Sequence, residues 1–231
     1  AIALLAALPA AAQQAGDTIV NVGVAHIVPD ASLGPATSSG TPAASTFNAA
    51  LVGAQADISS TSTLSLSVMH MFTDHAAAEL SVGVPPTLDV SLFLPNGSAP
   101  QDHPNAARAR AWTPALVGKW LFMEPGSRWR PYLGLGVTYA RFDRIRINQS
   151  DPLVATLAGG SADLSSSWAP VYNAGFIYNL NDRWSINASV SYIPLRTDVT
   201  LTGTGAGAGL TTTGRLEINP TDYIVRIGYK F

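Results

Sequence analysis

Eight segments of the sequence alternate apolar residues with polar or small ones, and the connections between them are long and short in turn. Successive side chains of a strand point to opposite faces, so a period of two predicts strands with one apolar and one polar face. The predicted strands cover residues 18–29, 63–72, 76–93, 108–122, 129–148 and 166–180, a seventh strand from residue 184, and residues 223–231. Together, these features predict an all-β fold, an up-and-down antiparallel meander whose two ends lie on one side.

Four of the connections are long and three are short. The long ones are rich in Ser, Thr, Gly, Pro and Ala, which favour turns and irregular structure, and we expect one short helix near residues 47–55. At Pro194 we expect the alternation of the seventh strand to slip by one residue. The predicted loops are residues 30–61, 94–105, 149–165 and 203–214, and the predicted turns are residues 73–75, 124–127 and 181–183.

The last nine residues show the alternation most clearly. Their apolar face carries Tyr223, Val225, Ile227, Tyr229 and Phe231, and their other face includes Arg226, Gly228 and Lys230. As the eighth strand of a meander, this segment has to pair with residues 18–29 if the sheet closes. The sequence therefore predicts an eight-stranded barrel.

Composition indicates which face of the strands points outward. Only 12% of the residues are charged and 47% are hydrophobic, whereas soluble domains are about 25% charged. Aromatic residues lie next to the short turns and the terminus, as in the girdle of a bacterial outer-membrane barrel. We therefore predict an eight-stranded antiparallel transmembrane β-barrel in a Gram-negative outer membrane. The predicted girdle residues are Phe72, Trp120, Phe122, Trp129, Tyr178, Trp184, Tyr229 and Phe231.

A soluble eight-stranded carrier of the lipocalin type is the main alternative fold. Such a carrier needs apolar residues inside and charges outside. In this sequence the Ser, Gly and Asn residues that alternate with Leu, Val, Trp and Tyr suit an interior face instead. Several predicted strands also exceed the 9 to 11 residues that span a bilayer, so we expect the barrel to project beyond the membrane.

The first twelve residues form an apolar run that ends in small residues, which is typical of the end of a secretory signal. Cleavage after Ala12 would leave residues 13–231 as a single barrel domain. The formal net charge of −2 provides no basic field for nucleic acid, so we expect no nucleic-acid partner. The chain has no cysteine, which rules out disulfides and thiolate metal sites.

The inward faces of the predicted strands carry polar groups. Eight strands enclose an interior just wide enough for side chains or one small ligand, which excludes an open aqueous pore. Small inward residues such as Gly134 and Gly175 should leave part of this space free. Buried charges need partners, so we expect Glu79 to pair with Lys119 or Arg226 across the lumen. The predicted lumen-lining residues are Asn21, Glu79, Ser81, Lys119, Asn173, Asn187, Ser189, Ser191 and Arg226.

Several stretches of the sequence are similar to those of a known protein family. They are Thr18 to Pro29, Arg130-Pro131-Tyr132-Leu133-Gly134-Leu135-Gly136-Val137-Thr138-Tyr139, Asn181-Asp182-Arg183-Trp184, and Ile227-Gly228-Tyr229-Lys230-Phe231, together with Pro86 and Pro114. With these motifs the chain resembles the OmpW family of outer-membrane proteins, which includes the alkane-uptake protein AlkL. The resemblance covers essentially the whole mature chain but is lost in the first and fourth long loops, so roles carried by those loops do not transfer.

This resemblance implies a narrow, rather apolar channel that helps small hydrophobic molecules cross the outer membrane. Tyr229 and Phe231 resemble the terminal aromatic signal that the barrel-assembly machinery reads. The other partners that we expect are outer-membrane lipid and a small hydrophobic ligand, bound to a monomer.

Prolines suggest where an apolar solute could leave such a channel. Charges in the lumen would block the periplasmic half, so sideways exit into the bilayer is favoured. Proline cannot donate to a ladder and is confined to edges and bulges. Pro85, Pro86 and Pro114 lie on neighbouring predicted strands and mark a weakened seam, which we expect to be the place of lateral release. Alternatively, these prolines are bulges that only shape the barrel.

No catalytic site is predicted. Nucleophilic catalysis requires a base within hydrogen-bond reach of a nucleophile and a third orienting group. None of the four histidines is placed to meet that requirement, since His26 and His70 are predicted on the lipid side, His75 in a turn and His103 in a loop. No cofactor or metal motif is present. The alternative to transport is a structural barrel whose loops dock phage, bacteriocin or host, and the sequence does not separate the two.

Overall fold

The computed structural model describes residues 13–95 and 101–231. The predicted signal remnant, residues 1–12, lies outside the described residues. The strands are β1 Thr18–Val28, β2 Ala31–Leu33, β3 Thr37–Ser39, β4 Gln55–Ile58, β5 Thr61–Met71, β6 Ala76–Gly83, β7 Thr87–Leu94, β8 Gln101–Trp112, β9 Ala115–Leu121, β10 Trp129–Ile147, β11 Ser161–Leu164, β12 Ser167–Asn179, β13 Trp184–Tyr192, β14 Leu195–Thr202, β15 Thr211–Ile218 and β16 Thr221–Lys230. The helices are α1 Ala44–Leu51 and α2 Pro152–Ala158. No helix among the described residues is long and apolar enough to cross a membrane.

Within the described residues, eight antiparallel strands close into a barrel. Their order around the ring is β1, β5, β6, β9, β10, β12, β13 and β16. Ten residue pairs join β16 back to β1, from Ile19 opposite Lys230 to Val28 opposite Thr221. The predicted eight-stranded barrel and its closing strand pair are confirmed. We call this ring the lower half, because the three short turns lie at its end.

The outer face of the lower half is a continuous apolar band. Leu135 is 63% exposed and Val225 is 57% exposed, which suits side chains that face lipid rather than water. Near the short turns, Trp129 packs against Tyr178 with ring centroids 4.7 Å apart, and Trp184 packs against Tyr229 at 4.9 Å. This arrangement is opposite to that of a lipocalin-type carrier.

Above the ring the wall continues as two separate sheets, which we call the upper half. One sheet joins β4, β7, β8 and the upper part of β10, and the other joins β11, β14 and β15 with β2 and β3. Most strands are interrupted between the halves, often at a proline such as Pro29, Pro114, Pro194 or Pro220. Proline lacks the backbone N–H that a ladder needs, so the halves can pair differently. The barrel therefore projects well beyond the lower half, as the strand lengths predicted.

The predicted long loops contain more regular structure than expected. The helix lies at Ala44–Leu51 rather than near residues 47–55, and α2 lies within predicted loop 149–165. The prediction that residues 94–105 form a loop is wrong beyond residue 100, because β8 begins at Gln101. Likewise β15 begins inside predicted loop 203–214. Ser, Thr and Gly are frequent in these stretches, so the alternation of apolar and polar residues in the upper strands is weak and was not recognised.

The alternation slips at a different proline from the one predicted. Inward-facing residues of the seventh strand stay at odd positions across Pro194, since Ser191, Ile193 and Leu195 are all buried. On the third strand, by contrast, the inward positions change from odd to even at Pro85 and Pro86. An unbroken alternation over the predicted strand 76–93 would place Leu88 on the outer face with Leu80, but Leu88 is buried inside. Two successive prolines leave two residues unable to donate to either neighbour, which accounts for the slip at this place.

Candidate functional site

The floor of the lumen is an ion-paired cluster of three buried side chains. Glu79, Lys119 and Arg226 are each 4% exposed or less. Lys119 Nζ lies 2.8 Å from Glu79 Oε2, and Arg226 Nη1 lies 2.7 Å from Glu79 Oε1. The ion pair expected across the lumen is present, and Glu79 has both candidate partners rather than one. The three residues come from β6, β9 and β16, so the cluster ties together strands that are not all neighbours.

Neutral side chains complete the hydrogen bonding of the cluster. Arg226 donates from Nε and Nη2 to Ser65 Oγ at 3.0 and 2.7 Å. Lys119 Nζ lies 3.3 Å from Tyr132 Oη and 4.3 Å from the centroid of its ring. The Tyr132 hydroxyl in turn donates to Asn187 Oδ1 at 2.8 Å. Buried charges are tolerated only when they are paired and hydrogen-bonded, and this network satisfies the requirement.

Two further layers close the barrel below the cluster. The first is apolar, and the second contains Arg130, which is fully buried and donates to the backbone carbonyls of Gln13, Asp74 and Met123. Gln13 also donates to Asn179 at 2.6 Å. The apolar layer consists of Ile19, Met69, Met71, Ala77, Leu121, Tyr132 and Ile177. The lower end of the lumen is therefore filled.

Gly134 and Gly175 do not provide the free space that the sequence suggested. A Cβ added to Gly134 would lie 2.8 Å from Val117 Cγ1, and one added to Gly175 would lie 2.7 Å from Tyr132 Oη. Larger side chains from neighbouring strands already occupy these places. The prediction of unfilled space at these glycines is wrong, since their small size admits Val117 and Tyr132 instead.

A cavity of about 70 Å³ lies above the ion-paired cluster, and we call it the lumen cavity. Among the predicted lumen residues, those that line it are Glu79, Ser81, Asn173, Ser189, Ser191 and Arg226. The other predicted residues, Asn21, Lys119 and Asn187, are buried but do not line the cavity. The predicted polar set is thus split between the wall of the cavity and its filled floor.

Asp222 is a lumen residue that the sequence reasoning missed. It lines the lumen cavity, and its Oδ1 is buried without a hydrogen-bond partner among the described residues. Asp222 shares the inward face of β16 with Arg226, four residues further along. The alternation of the last strand could have identified Asp222, because Arg226 and Lys230 lie at even positions on its inward face, but the predicted strand began two residues too late.

Two apolar cavities continue upward from the lumen cavity. The first, which we call the collar, has a volume of about 40 Å³ and shares Ile27, Pro86, Ala111, Thr113, Ile193 and Asp222 with the lumen cavity. The second, the upper cavity, has a volume of about 150 Å³. The packed residues between them include Leu88, Phe142, Leu195 and Leu216. The upper cavity lies between the two upper sheets, with α2 contributing Val154, Leu157 and Ala158.

Pro85, Pro86 and Pro114 lie at an interruption of the barrel wall. The β6–β9 ladder ends at Ser81 opposite Ala115, and the β7–β8 ladder starts at Thr87 opposite Arg110. Between these pairs, Ala111 N donates to the Pro86 carbonyl at 3.0 Å. The lining of the lumen cavity includes Val82, Gly83, Pro86 and Thr113, and Val82 is also exposed on the outer face. The lumen cavity thus reaches the wall where its ladder is interrupted.

The histidines do not form a reactive site among the described residues. His26 and His70 are exposed on the outer face, and their Nδ1 atoms lie within 3.0 Å of the hydroxyls of Ser62 and Thr18. His103 lies on β8 rather than in a loop and contacts Asp151 Oδ2 at 2.7 Å. No cluster of three or more His, Asp or Glu side chains among the described residues could hold a metal ion.

Asp151 caps the N-terminus of α2 and fixes that helix over the upper cavity. Its Oδ1 accepts from the backbone N–H groups of Leu153 and Val154 at 3.0 and 3.1 Å. Burial alone would raise the pKa of Asp151, but the hydrogen bonds from His103 and from these two N–H groups outweigh it and lower the pKa. The carboxylate thus stays charged, which suits a helix N-cap.

Comparison with known proteins identifies the group to which this barrel is related. A family model described as the OmpW family matches residues 14–231. Outer membrane protein W of Vibrio cholerae serotype O1 is 31% identical over 231 residues, which cover all of this chain and 95% of that protein. Outer membrane protein AlkL of Ectopseudomonas oleovorans is 26% identical, with 79% of this chain and 70% of that protein covered. The crystal structure of OprG from Pseudomonas aeruginosa superposes with a TM-score of 0.80 and 26% identity, covering 95% of this chain and 98% of OprG.

Proposed function

The chain belongs to the OmpW family of outer-membrane proteins, and we propose that it is a passive conduit by which small hydrophobic molecules cross the outer membrane. As a member of this family, it is a barrel of the Gram-negative outer membrane and not an enzyme. Bacterial barrels have short turns on the periplasmic side and longer loops outside, so the lower half ends in the periplasm and the upper half faces the exterior.

The observation that carries the proposal is the column of three cavities above a sealed floor. The upper cavity is lined by apolar side chains that include Leu92, Ile145, Leu164, Val199 and Leu201. An apolar cavity of about 150 Å³ can hold a molecule of the size of benzene. The collar below it is also mainly apolar, and it adjoins the lumen cavity. A small hydrocarbon would therefore gain contacts from the exterior down to the ion-paired cluster.

Below that cluster the path would be unfavourable for an apolar solute. Passing it would require separating Glu79 from Lys119 and Arg226 and then moving two further layers of packed side chains. Breaking a buried pair costs about 3–5 kcal/mol. Sideways exit at Pro85, Pro86 and Pro114 avoids this cost, because the lumen cavity already reaches the wall there. We propose lateral release into the bilayer at this interruption.

The narrow collar favours a second candidate function. A volume of about 40 Å³ is about a quarter of that of a cavity that holds benzene, about 150 Å³. A hydrocarbon could pass only if side chains such as Leu88 and Phe142 moved. A barrel that does not transport, and whose upper half docks phage, bacteriocin or host, would have no need of such movement. Transport therefore requires an unfilled upper cavity, whereas docking does not.

Filling the upper cavity separates the two functions. Ala106 is buried and lines this cavity, so Ala106→Phe places an aromatic ring in the proposed entry path. Ala174 lies on the outer face of β12 in the lower half, so Ala174→Phe is a matched control. We expect Ala106→Phe to reduce uptake of a radiolabelled C6 to C8 hydrocarbon into intact cells at least fivefold, and Ala174→Phe to leave it unchanged. Equal uptake by both variants, at equal amounts of folded barrel, would rule out entry through the upper cavity.

A further inference from the structure

Five arginines, four of them exposed and one half-buried, form a patch on the outer face of the upper half, beside β8 and β10. They are Arg108, Arg110, Arg141, Arg144 and Arg146, and we call them the arginine patch. A bulge follows Asp143, where the register of β10 against β8 shifts and Arg144 adopts a φ of 50°. As a result, Arg144 and Arg146 are exposed, while Ile145 and Ile147 line the upper cavity.

The patch has an excess of positive charge. Arg110 binds Asp143 through two hydrogen bonds of 2.7 Å, and Arg108 Nε lies 2.5 Å from Asp89 Oδ1. Five arginines and two aspartates leave a formal charge of +3. Ion pairs within the described residues involve neither Arg141 nor Arg146. The opposite upper sheet differs, because there Arg196 pairs with Glu217 at 2.9 Å and Arg215 with Asp198 at 3.0 Å.

The height of the patch fits the edge of the outer leaflet. Aromatic side chains mark the upper end of the lipid-facing band, and the Tyr139 ring lies 5.0 Å from that of Trp168. Arg141 is two residues beyond Tyr139 and pairs across the sheet with Trp112. Arg110 lies over the Trp112 ring, 5.5 Å from its centroid. At about 3.3 Å per residue, Arg141 lies roughly 7 Å along the strand beyond Tyr139 and beside Trp112, which places the patch at the level of the lipid headgroups.

We infer that the arginine patch binds the phosphate groups of the phosphorylated glycolipid that forms the outer leaflet, lipopolysaccharide. The guanidinium group presents a planar fork of donors that binds phosphate in a bidentate manner. Two arginines are already held in place by Asp89 and Asp143, which preorganises the edge of the site. Among the described residues, Arg141 and Arg146 take part in no ion pair, and both face a surface rich in phosphate. This binding does not depend on transport through the lumen.

Binding of purified barrel in nanodiscs to fluorescent diphosphoryl lipid A tests the inference. The variant Arg141→Gln/Arg146→Gln removes two charges from the patch, and Arg196→Gln/Arg215→Gln removes two from the opposite sheet. We expect the first variant to weaken binding at least tenfold, which corresponds to about 1.4 kcal/mol, and the second to weaken it less than twofold. Salt should weaken wild-type binding more than binding to the patch variant, because screening acts on the removed charges.

Two results would overturn the inference. One is equal weakening by both double variants, which would mean that the position of the charge is irrelevant. The other is displacement of the lipid by inorganic phosphate as effectively as by unlabelled lipid A, which would reduce the patch to an adventitious anion site. Unfolding midpoints of both variants serve as the folding control. The wild-type barrel should bind dephosphorylated lipid A no more tightly than the patch variant binds diphosphoryl lipid A.

Discussion

Replacing Glu79 by Gln should destabilise the barrel more than any other single change in the lumen cluster. The substitution preserves the size of the side chain but leaves Lys119 and Arg226 buried together without a counter-charge. It weakens two charge-assisted hydrogen bonds, of 2.8 and 2.7 Å. Hydrogen bonds to charged groups contribute about 1.5–3 kcal/mol each, and breaking a buried ion pair costs about 3–5 kcal/mol. We therefore expect a loss of about 3–5 kcal/mol in the free energy of unfolding.

Lys119→Met is the informative comparison for this variant. It removes one cation but keeps the pair between Glu79 and Arg226, and the Met side chain fills much of the same volume. We expect its cost to be at most half that of Glu79→Gln. Urea unfolding in lipid vesicles, followed by tryptophan fluorescence and by heat-modifiable mobility on gels, measures both. A cost below about 1 kcal/mol for Glu79→Gln would refute the reasoning, because it would show that water already solvates these charges.

Two other substitutions test the lumen and the upper half. Asp222→Leu removes a buried oxygen that lacks a partner among the described residues, so this substitution should raise the free energy of unfolding by about 1 kcal/mol. The outward control Tyr223→Leu should not raise it. A loss of stability with Asp222→Leu would show that this carboxylate has a stabilising partner. The hydrogen bonds from Arg110 lower the pKa of Asp143 to about 2. Because this pKa is depressed, the stabilisation is present above the ordinary value of about 3.8 and is lost as the pH falls through about 2. An NMR titration of the Asp143 carboxyl carbon should show this midpoint, and Arg110→Gln should return it toward the ordinary value; an unchanged midpoint would exclude Arg110 as the cause.

The lower half could be predicted from the sequence because lipid imposes a simple rule on it. Outward residues must be apolar at every second position, and this keeps the alternation of residues 63–72 and 223–231 easy to recognise. The same alternation placed Glu79, Lys119 and Arg226 inside, where their charges required partners. The three-residue cluster followed from that requirement, although the sequence did not indicate that both cations would bind one carboxylate.

The upper half could not be predicted as well, because it faces water outside and encloses an apolar cavity inside. Four of its strands, β2, β3, β4 and β11, have only three or four residues, and β15 begins with three Thr and one Gly, which resemble a loop. The slip at Pro85 and Pro86 reversed the face of Leu88, because an unbroken alternation over residues 76–93 would have placed it on the side of Leu80. The free volume of the lumen could not be predicted from the sequence either, because larger neighbouring side chains fill the space beside Gly134 and Gly175.

The central claim is that hydrophobic solutes leave the lumen sideways at the interruption between β6 and β9. The chain has no cysteine, so Gly83→Cys/Thr113→Cys creates a single pair across the interruption, and bifunctional thiol reagents of increasing length can bridge it. Ser189→Cys/Ile224→Cys is the matched control, because these residues lie opposite each other in the continuous β13–β16 ladder and also line the lumen cavity. We predict that bridging the first pair reduces hydrocarbon uptake by intact cells at least fivefold, that reversal of the cross-link restores it, and that bridging the control pair has no effect. Full uptake with the first pair bridged would contradict lateral release.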